Sequence, residues 1–379
     1  MFAQVTSFIR EQFQTKDFIP LHAPVFNGNE EKYVLETIDS TFVSSVGSYV
    51  DLSEEMLAEY CKIKTAVAVV NGTAGLHVGL QVAGVSSGDE VITQALTFVA
   101  TVNAISYVGA EPIFLDVDLD TMGLSPSAVE SFLEENAEIK ETGTYNKITG
   151  KKISACVPMH TFGFPVHLSD LLRVCKKWKI PVVEDSAESL GSLYKNKHTG
   201  SFGKIGVFSF NGNKIVTAGA GGMIVTNDVE LGKESKHLTT TAKISHPFEY
   251  FHDRTGYNFR MPNLNAALLC AQIERIESFV RDKRELAMKY KNFFDTIDIK
   301  FRIEPKGSRA NYWLMCVELE NINERNSFLR YTNDKKVMTR PIWTLMYKLP
   351  MYKHCFRDAQ INSKFLEERI VNIPSSVRI

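Results

Sequence analysis

The order of hydrophobic and polar positions predicts short buried strands that alternate with amphipathic helices. Parallel strands buried on both faces appear in a sequence as continuous apolar runs bounded by turn residues. We predict such strands at residues 66–70, 90–93, 112–116, 153–158, 181–184, 205–210 and 222–226. Helix candidates lie between them at residues 74–83, 98–107, 126–136 and 169–178. This alternation predicts an α/β domain with a doubly wound, mostly parallel sheet.

The pattern changes after about residue 228. A polar stretch leads to a long predicted helix, and shorter elements follow it, at residues 263–290 (helix), 312–319 (strand), 323–331 (helix) and 337–340 (strand). Residues 136–152 are polar and rich in turn formers, which we interpret as a surface excursion. We therefore predict a large α/β domain with an N-terminal arm at residues 1–245 and a smaller C-terminal α+β domain at residues 246–379.

Composition and charge exclude several classes of function. The 379 residues are 44% hydrophobic and 23% charged, the mix of an ordinary soluble globular protein. The 43 Lys and Arg are balanced by 44 Asp and Glu, so no net positive field favours nucleic acid. The apolar runs fall far short of the roughly 20 residues that span a membrane, and the N-terminus lacks a signal-peptide core. We expect a cytoplasmic enzyme or binding protein.

The six cysteines are scattered through the chain without a CxxC pair or a Cys/His pair at zinc spacing. We expect reduced, buried thiols and no metal site.

Two segments place polar groups at the ends of predicted strands. After Val70, the run Asn71-Gly72-Thr73-Ala74-Gly75 opens a helix, and its free amides and hydroxyl suit a phosphate. The alternative is an ordinary capped helix in which Thr73 serves only the cap. Asp185 follows another strand, at the edge where ligands bind in parallel sheets, or else it caps the next helix.

A third segment holds a lysine at the end of a strand, between turn residues and glycines. Lys214 follows Asn211-Gly212-Asn213, and the glycine-rich run at residues 219–222 lies close behind it. This context does not suit an ordinary surface lysine. A phosphate cradle, a carboxylate and a lysine together suit pyridoxal 5′-phosphate, which needs a lysine Schiff base and an acidic partner for its ring nitrogen.

At these residues the sequence resembles the DegT/DnrJ/EryC1/StrS family of nucleotide-sugar aminotransferases. The resemblance covers nearly the whole chain, and the motifs that carry it are VNGTAGLHVGL (70–80), GDEVITQALTFVATVNAI (88–105), VVEDSAESLGS (182–192), GSFGKIGVFSFNGNKIVTAGAGGM (200–223) and GYNFRMPNLNAAL (256–268). The family implies the fold-type-I architecture of aspartate aminotransferase: a large domain with a mostly parallel sheet and a smaller α+β C-terminal domain.

The resemblance also implies roles for individual residues. Lys214 would form the Schiff base and then move a proton, and Asp185 would pair with the ring nitrogen. Phe98 would stack on the cofactor ring, while the phosphate would be held by Gly72, Thr73, Ala74 and Ser209. Asn258 would reach the phosphate of a neighbouring subunit, which implies a homodimer with shared sites.

Two departures from the family pattern concern the same pocket. Glu188 stands where many relatives have a glutamine beside the ring, and Ala218 and Ala220 stand in a run that is TTGEGG or TTGGGG in many relatives. Neither departure changes the lysine or its carboxylate, but each is expected to tune the substrate or the protonation of the ring.

Within the family, motifs such as HTFGFPV (160–166) and MTRPIWTLMYKLPMYK (338–353) resemble one branch. That branch transfers an amino group from L-glutamate to C4 of UDP-4-keto-6-deoxy-N-acetylglucosamine and makes UDP-N-acetylbacillosamine, a precursor of bacillosamine-type glycans and legionaminic acid. His160, Trp313 and Trp343 are candidate substrate contacts, or else simple core residues.

Several alternatives stay open. The sugar could be dTDP- or GDP-linked instead. A related dehydratase typically replaces the lysine by histidine, which Lys214 argues against. A nicotinamide-dependent sugar oxidoreductase would need the GxGxxG fingerprint that this chain lacks. A non-catalytic module that binds pyridoxal phosphate would be distinguished only by an assay.

Overall fold

The computed structural model describes residues 1–378. Its α-helices are α1 (Phe2–Phe13), α2 (Glu30–Asp39), α3 (Ser48–Cys61), α4 (Gly72–Ala83), α5 (Val99–Tyr107), α6 (Pro126–Asn136), α7 (Leu168–Lys177), α8 (Val229–Thr239), α9 (Asn263–Ile273), α10 (Ile276–Asp295), α11 (Ile322–Asp334) and α12 (Ile361–Arg369). Short 3-10 helices lie at Thr161–Gly163, Met346–Lys348 and Pro350–Tyr352. Among the residues described, no helix is both long and apolar enough to cross a bilayer.

The strands are β1 (Thr65–Val69), β2 (Glu90–Gln94), β3 (Glu111–Leu115), β4 (Ala137–Lys140), β5 (Gly143–Asn146), β6 (Ile153–Val157), β7 (Val183–Asp185), β8 (Leu193–Tyr194), β9 (Lys197–His198), β10 (Ile205–Ser209), β11 (Gly222–Thr226), β12 (Lys243–Ile244), β13 (Phe251–His252), β14 (Lys300–Phe301), β15 (Ser308–Arg309), β16 (Met315–Glu318), β17 (Arg340–Pro341) and β18 (Ile370–Ile373).

The central sheet has the strand order β1-β11-β10-β7-β6-β2-β3. Its two halves are joined by parallel bridges between β6 and the β7 region, at Cys156 with Val182 and at Met159 with Asp185. Strand β11 runs antiparallel to both β1 and β10, and the remaining neighbours are parallel. Every residue of β2, β6 and β11 is buried, as expected for strands covered by helices on both faces. The predicted α/β fold with a mostly parallel sheet is confirmed.

The predicted helices of the first half are present, and their starts are set by caps. Asn71 accepts a hydrogen bond from the Ala74 amide at the start of α4, so this helix begins two residues before the predicted start. Ser125 caps α6 in the same way, ahead of Pro126 in the first turn. Both caps use a polar side chain to satisfy an amide that the helix leaves free.

Two predicted segments differ from the structure. The long helix predicted at residues 263–290 is two helices, because the chain bends at Glu274 and Arg275. Helix α9 is buried on most of its surface whereas α10 is amphipathic, and Glu274 turns outward to accept hydrogen bonds from Asn29 and Tyr33. The predicted excursion at residues 136–152 contains a regular hairpin, β4 with β5.

The C-terminal part forms a second, smaller unit around the antiparallel sheet β14-β16-β18-β17, with α11 and α12 beside it. The first helix, which the predicted boundary placed with the large domain, packs on this unit instead. Phe2 of α1 lies edge-on to Phe328 of α11, with 5.3 Å between ring centroids. The edge of the sheet is extended by the N-terminal arm, where Ile19 pairs with Val337.

Candidate active site

The three predicted segments meet at one edge of the central sheet. Strands β1, β7 and β10 are parallel to one another, so their carboxyl ends share that edge. Gly72 follows β1 and lies against Ser209 at the end of β10; a Cβ on Gly72 would stand 3.0 Å from the Cβ of Ser209. Lys214 and Glu188 also meet, with Nζ and Oε1 3.4 Å apart.

The start of helix α4 leaves amides free beside two hydroxyls. The N–H groups of Gly72 and Thr73 belong to the first helical turn, where no intrahelical acceptor exists. The side chains of Thr73 and Ser209 are partly exposed next to them. The predicted contribution of the Ala74 amide is corrected, because this N–H donates to Asn71 Oδ1 at 2.8 Å. The remaining groups form an anion cradle at the positive end of the helix.

Asp185 is a buried carboxylate held by two donors. Its Oδ2 accepts a 2.6 Å hydrogen bond from the Thr101 hydroxyl, and its Oδ1 accepts from the Ala187 amide at 3.1 Å. Only 3% of the residue is exposed, and this burial raises the pKa of the carboxyl above its usual value. A cationic ring nitrogen next to the carboxylate would favour its charged form.

His160 lies beneath the site, and its expected role as a substrate contact is corrected. The ring is fully buried, its Nε2 lies 3.0 Å from Glu184 Oε2, and its Nδ1 accepts from the Val166 amide. Both nitrogens are therefore occupied by protein partners. Glu184 in turn accepts hydrogen bonds from the amides of Gly200, Phe202 and Gly203, so this pair braces the strand that carries Asp185.

Lys214 extends its side chain into a largely buried niche. Its Nζ lies 3.8 Å from the centroid of the Trp313 ring, and the side chain is 12% exposed. The Trp313 indole N–H donates to the Asn213 carbonyl at 2.7 Å, which ties the lysine loop to the C-terminal unit. Trp313 therefore packs against the lysine rather than in an open part of the pocket.

Glu188 is the charged neighbour of this lysine. Its Oε2 accepts from the Phe162 amide at 2.9 Å, and its Oε1 faces Lys214 Nζ. Burial raises the pKa of Glu188 to about 7, although the nearby lysine ammonium acts in the opposite direction. A carboxyl group with this pKa changes its charge near neutral pH, whereas a glutamine side chain at the same position would not titrate.

Aromatic side chains line the same opening. Phe98, at the N-terminus of α5, is 49% exposed, which is unusual for phenylalanine, and its ring centroid lies 6.5 Å from that of Trp343. Trp343 also packs against Phe162, with 4.9 Å between centroids. An exposed aromatic face beside a buried carboxylate suits a planar ring.

Asn258 is placed differently from the other predicted site residues. It is exposed, and its Oδ1 accepts two hydrogen bonds from the Arg260 guanidinium at 3.0 and 2.9 Å. No contact joins it to the cradle of its own chain among the described residues. Its exposure leaves it accessible to a second subunit.

These residues fit a phosphorylated pyridine aldehyde. The free amides of Gly72 and Thr73 with the Ser209 hydroxyl would hold the phosphate, Phe98 would cover the ring, and Asp185 would face the ring nitrogen. The absence of a side chain at Gly72 is required, since a Cβ there would crowd Ser209.

Comparison with known proteins identifies the family of this chain. Residues 25–379 match the model of the DegT/DnrJ/EryC1/StrS aminotransferase family. The chain belongs to this family. It is 38% identical to GDP-perosamine synthase of Escherichia coli O157:H7, over 94% of this chain and 93% of the relative, and 33% identical to GDP-perosamine synthase of Vibrio cholerae, over 94% of each.

The fold is shared with solved structures. Spr1654 from Streptococcus pneumoniae, in its PLP-form, superimposes with a TM-score of 0.85 at 23% identity and covers 96% of this chain and 94% of its own. The fold-type-I prediction is confirmed, and so is the predicted cofactor. The protein is a sugar aminotransferase that uses pyridoxal 5′-phosphate.

Each group of this site has a distinct task. Bound pyridoxal phosphate supplies the electron sink and carries the amino group between substrates. We propose that the Lys214 amine accepts and returns the proton at the substrate carbon that loses or gains the amine. Asp185 would keep the ring nitrogen positively charged, and the Thr101 hydroxyl, which donates to this carboxylate, would hold it in position.

Sequence reasoning missed several groups that build this site. The capping role of Asn71 could have been predicted, because a polar residue just before an amphipathic helix is the pattern of an N-cap. Thr101 and Phe162 have none, because they lie 84 and 26 residues from their partners Asp185 and Glu188. Only the folded chain shows these pairs.

Proposed function

We propose that this protein transfers the amino group of L-glutamate to C4 of a nucleotide-linked 4-keto-6-deoxy sugar, with GDP as the favoured nucleotide. The observation that carries the amino-transfer step is Lys214, whose amine lies in a buried niche at the sheet edge that also holds Asp185. The choice of GDP is supported by the two GDP-perosamine synthases that align with nearly the whole chain.

A UDP-linked sugar is the second candidate. The motifs at residues 160–166 and 338–353 resemble the branch that aminates UDP-4-keto-6-deoxy-N-acetylglucosamine to UDP-N-acetylbacillosamine. The second motif contains Trp343, which is partly exposed beside Phe98 at the opening of the site. This residue is therefore placed where a sugar substrate would enter.

We also propose that the protein acts as a homodimer whose sites are shared. Support comes from exposed apolar side chains in the segment before Asn258: Phe248, Tyr250 and Phe251 are 79%, 85% and 60% exposed. Contiguous exposed apolar surface is typical of protein interfaces. A partner covering this segment would bring Asn258 towards the partner's phosphate cradle.

The proposal is tested by assaying the purified holoenzyme with L-glutamate and, in parallel, with 4-keto-6-deoxy sugars linked to GDP, UDP and dTDP. Mass spectrometry would detect the amino product, and NMR would locate the amine and its configuration. We expect the highest kcat/KM with the GDP-linked sugar. A preference for the UDP-linked N-acetyl sugar would favour the second candidate, and turnover with none of the three would contradict both.

The same assay is repeated with Lys214→Ala, which should remove all turnover. Lys204→Ala is the matched control, because Lys204 precedes the other end of strand β10 and its ammonium donates to the Ala83 carbonyl. It should keep activity close to that of the wild type. Turnover by Lys214→Ala would reject the assignment of the reactive lysine.

A further inference from the structure

Two side chains beside the Lys214 amine both stabilise a positive charge. Glu188 Oε1 lies 3.4 Å from the lysine Nζ, and the centroid of the Trp313 ring lies 3.8 Å from the same atom. A carboxylate attracts an ammonium through its charge, and the face of an indole attracts it through the ring quadrupole. Together these two groups favour the protonated form of the lysine.

One buried asparagine connects the two groups. Asn311 Nδ2 donates to the Glu188 carbonyl at 2.9 Å, and Asn311 Oδ1 accepts from the Trp313 amide at 2.8 Å. The Glu188 carboxylate is fixed separately, because its Oε2 accepts from the Phe162 amide at 2.9 Å. The carboxylate and the indole are therefore preorganised next to the amine.

The stability of the fold does not explain an ion pair in this place. The side chains of Lys214 and Glu188 are 12% and 2% exposed, and burying two charges often costs more free energy than their attraction returns. A glutamine side chain would fill the same space and could still accept from the Phe162 amide. The charge at position 188 therefore indicates a role in the chemistry of the lysine.

Proton transfer by Lys214 gives this charge a role. When the amine takes the proton from the α-carbon of the amino donor, Nζ becomes an ammonium, and the electron pair of the broken C–H bond passes to the electron sink of the bound cofactor. We propose that Glu188 is a positioning residue whose carboxylate, together with the Trp313 ring, stabilises this ammonium and so strengthens Lys214 as a base. This inference rests on the proposed function, since it assumes an amino acid as the donor.

Other titratable groups near this pair leave Glu188 as the charge that varies near neutral pH. Burial raises the pKa of Glu188 to about 7, the Lys214 ammonium acts against this rise, and Asp185 adds to it by like-charge repulsion. His22, on the N-terminal arm, also interacts electrostatically with Lys214, but burial lowers its pKa well below the usual value and keeps it neutral. Stabilisation of the ammonium should therefore increase as the pH rises through about 7.

The first test measures the proton affinity of the Lys214 amine in the cofactor-free protein. Trace labelling with acetic anhydride, which attacks only the unprotonated amine, is followed across pH by mass spectrometry of the peptide that contains Lys214. We expect Glu188→Gln to lower the pH midpoint of labelling by about one unit, as for the loss of an opposite charge at this distance. Trp313→Leu should shift the midpoint in the same direction by less. The matched control is Glu230→Gln, which removes a charge from an exposed position on α8 and should leave the midpoint unchanged.

The second test uses the holoenzyme and the amino-donor half-reaction, which needs no nucleotide sugar. At saturating L-glutamate, the change in the visible spectrum of the cofactor should be about tenfold slower in Glu188→Gln, the factor that corresponds to one unit of proton affinity. The wild-type rate should rise with pH through about 7, and this rise should be missing in the variant. The apparent Kd for glutamate should change less than twofold. Glu188→Asp keeps the charge on a shorter side chain and should recover part of the rate.

The outcomes separate an electrostatic role from a structural one. An unchanged labelling midpoint in Glu188→Gln would overturn the inference, and so would an unaffected rate of the half-reaction. A loss of both glutamate affinity and rate with the wild-type pH profile would also overturn it, because that result indicates a structural role only. A wild-type enzyme that reacts with glutamate but with no nucleotide sugar would contradict only the proposed function.

Discussion

Glu188 shows how a single residue sets the electrostatics of the site. Its pKa is raised from 4.5 to about 7 because burial disfavours the charged form. Between these values the folded protein keeps a proton that the unfolded chain has lost, so the stability contributed by this group is present below pH 4.5 and is lost as the pH rises through 7. We therefore expect the stability of the cofactor-free protein to depend on pH through this carboxyl group, which would not be so with a glutamine at position 188.

Replacing this side chain isolates the effect. Glu188→Gln keeps its size and can still accept from the Phe162 amide, but it cannot titrate. We expect the free energy of unfolding of cofactor-free wild type, relative to this variant, to fall by on the order of 3 kcal/mol between pH 4.5 and 7. Urea unfolding of both proteins at several pH values measures this. A difference that is constant with pH would contradict the assigned titration.

The placement of Asp185 and Lys214 at one edge of the sheet could be predicted from sequence, because Asp185 ends a buried strand and Lys214 follows another, each inside a motif with a recognisable pattern. The hydrogen bond from Thr101 that orients Asp185, and the contact of His160 with Glu184, could not be predicted from sequence. Those depend on which helix and which loop pack against the strand, and no local pattern records that.

At the scale of elements, the apolar runs correctly predicted the strands of the central sheet. Strands buried on both faces appear in the sequence as continuous apolar segments, which are easy to recognise. The break between α9 and α10 was missed because apolar spacing continues across it, while the bend depends on tertiary contacts of Glu274. The hairpin β4–β5 was missed because its residues are mostly polar.

Helix α10 carries a buried lysine with a testable pH signature. Burial lowers the pKa of Lys283 from 10.5 to about 7, and its ammonium donates to the Ser375 carbonyl. Above pH 7 the unfolded chain holds a proton that the folded protein has released, so wild-type stability rises with pH. Relative to Lys283→Met, wild type should gain on the order of 3 kcal/mol between about pH 7 and 9.5.

Chemical denaturation of both proteins across this pH range measures the gain. Lys289→Met is the control, since Lys289 lies on the exposed face of the same helix and should leave the pH dependence unchanged. Parallel curves for wild type and Lys283→Met would show that the lysine is not buried in an uncharged form.

At the scale of the whole molecule, the proposed dimer predicts complementation. Lys214→Ala lacks the reactive amine but keeps Asn258, whereas Asn258→Ala keeps the amine but lacks the group offered to the partner. Each variant alone should be inactive or retain pyridoxal phosphate poorly. Mixed dimers, formed by co-expression, contain one site with both residues intact and should recover activity.

The control for this experiment is co-expression of Asn258→Ala with a chain that carries both substitutions. No site in that mixture has both groups, so activity should stay at the level of Asn258→Ala alone. Recovery in the control, or none in the mixed dimers, would contradict shared sites. Light scattering of the wild type would show independently whether two copies associate.

The most direct test of the account is the identity of the lysine that binds the cofactor. The holoenzyme is treated with borohydride, which fixes the cofactor to its lysine, and peptides are then mapped by mass spectrometry. The structure predicts a phosphopyridoxyl group on the peptide containing Lys214. It predicts no such group in the double variant that carries both Asp185→Asn and Lys214→Ala. The label on another lysine, or no label in protein that holds stoichiometric pyridoxal phosphate, would contradict the account.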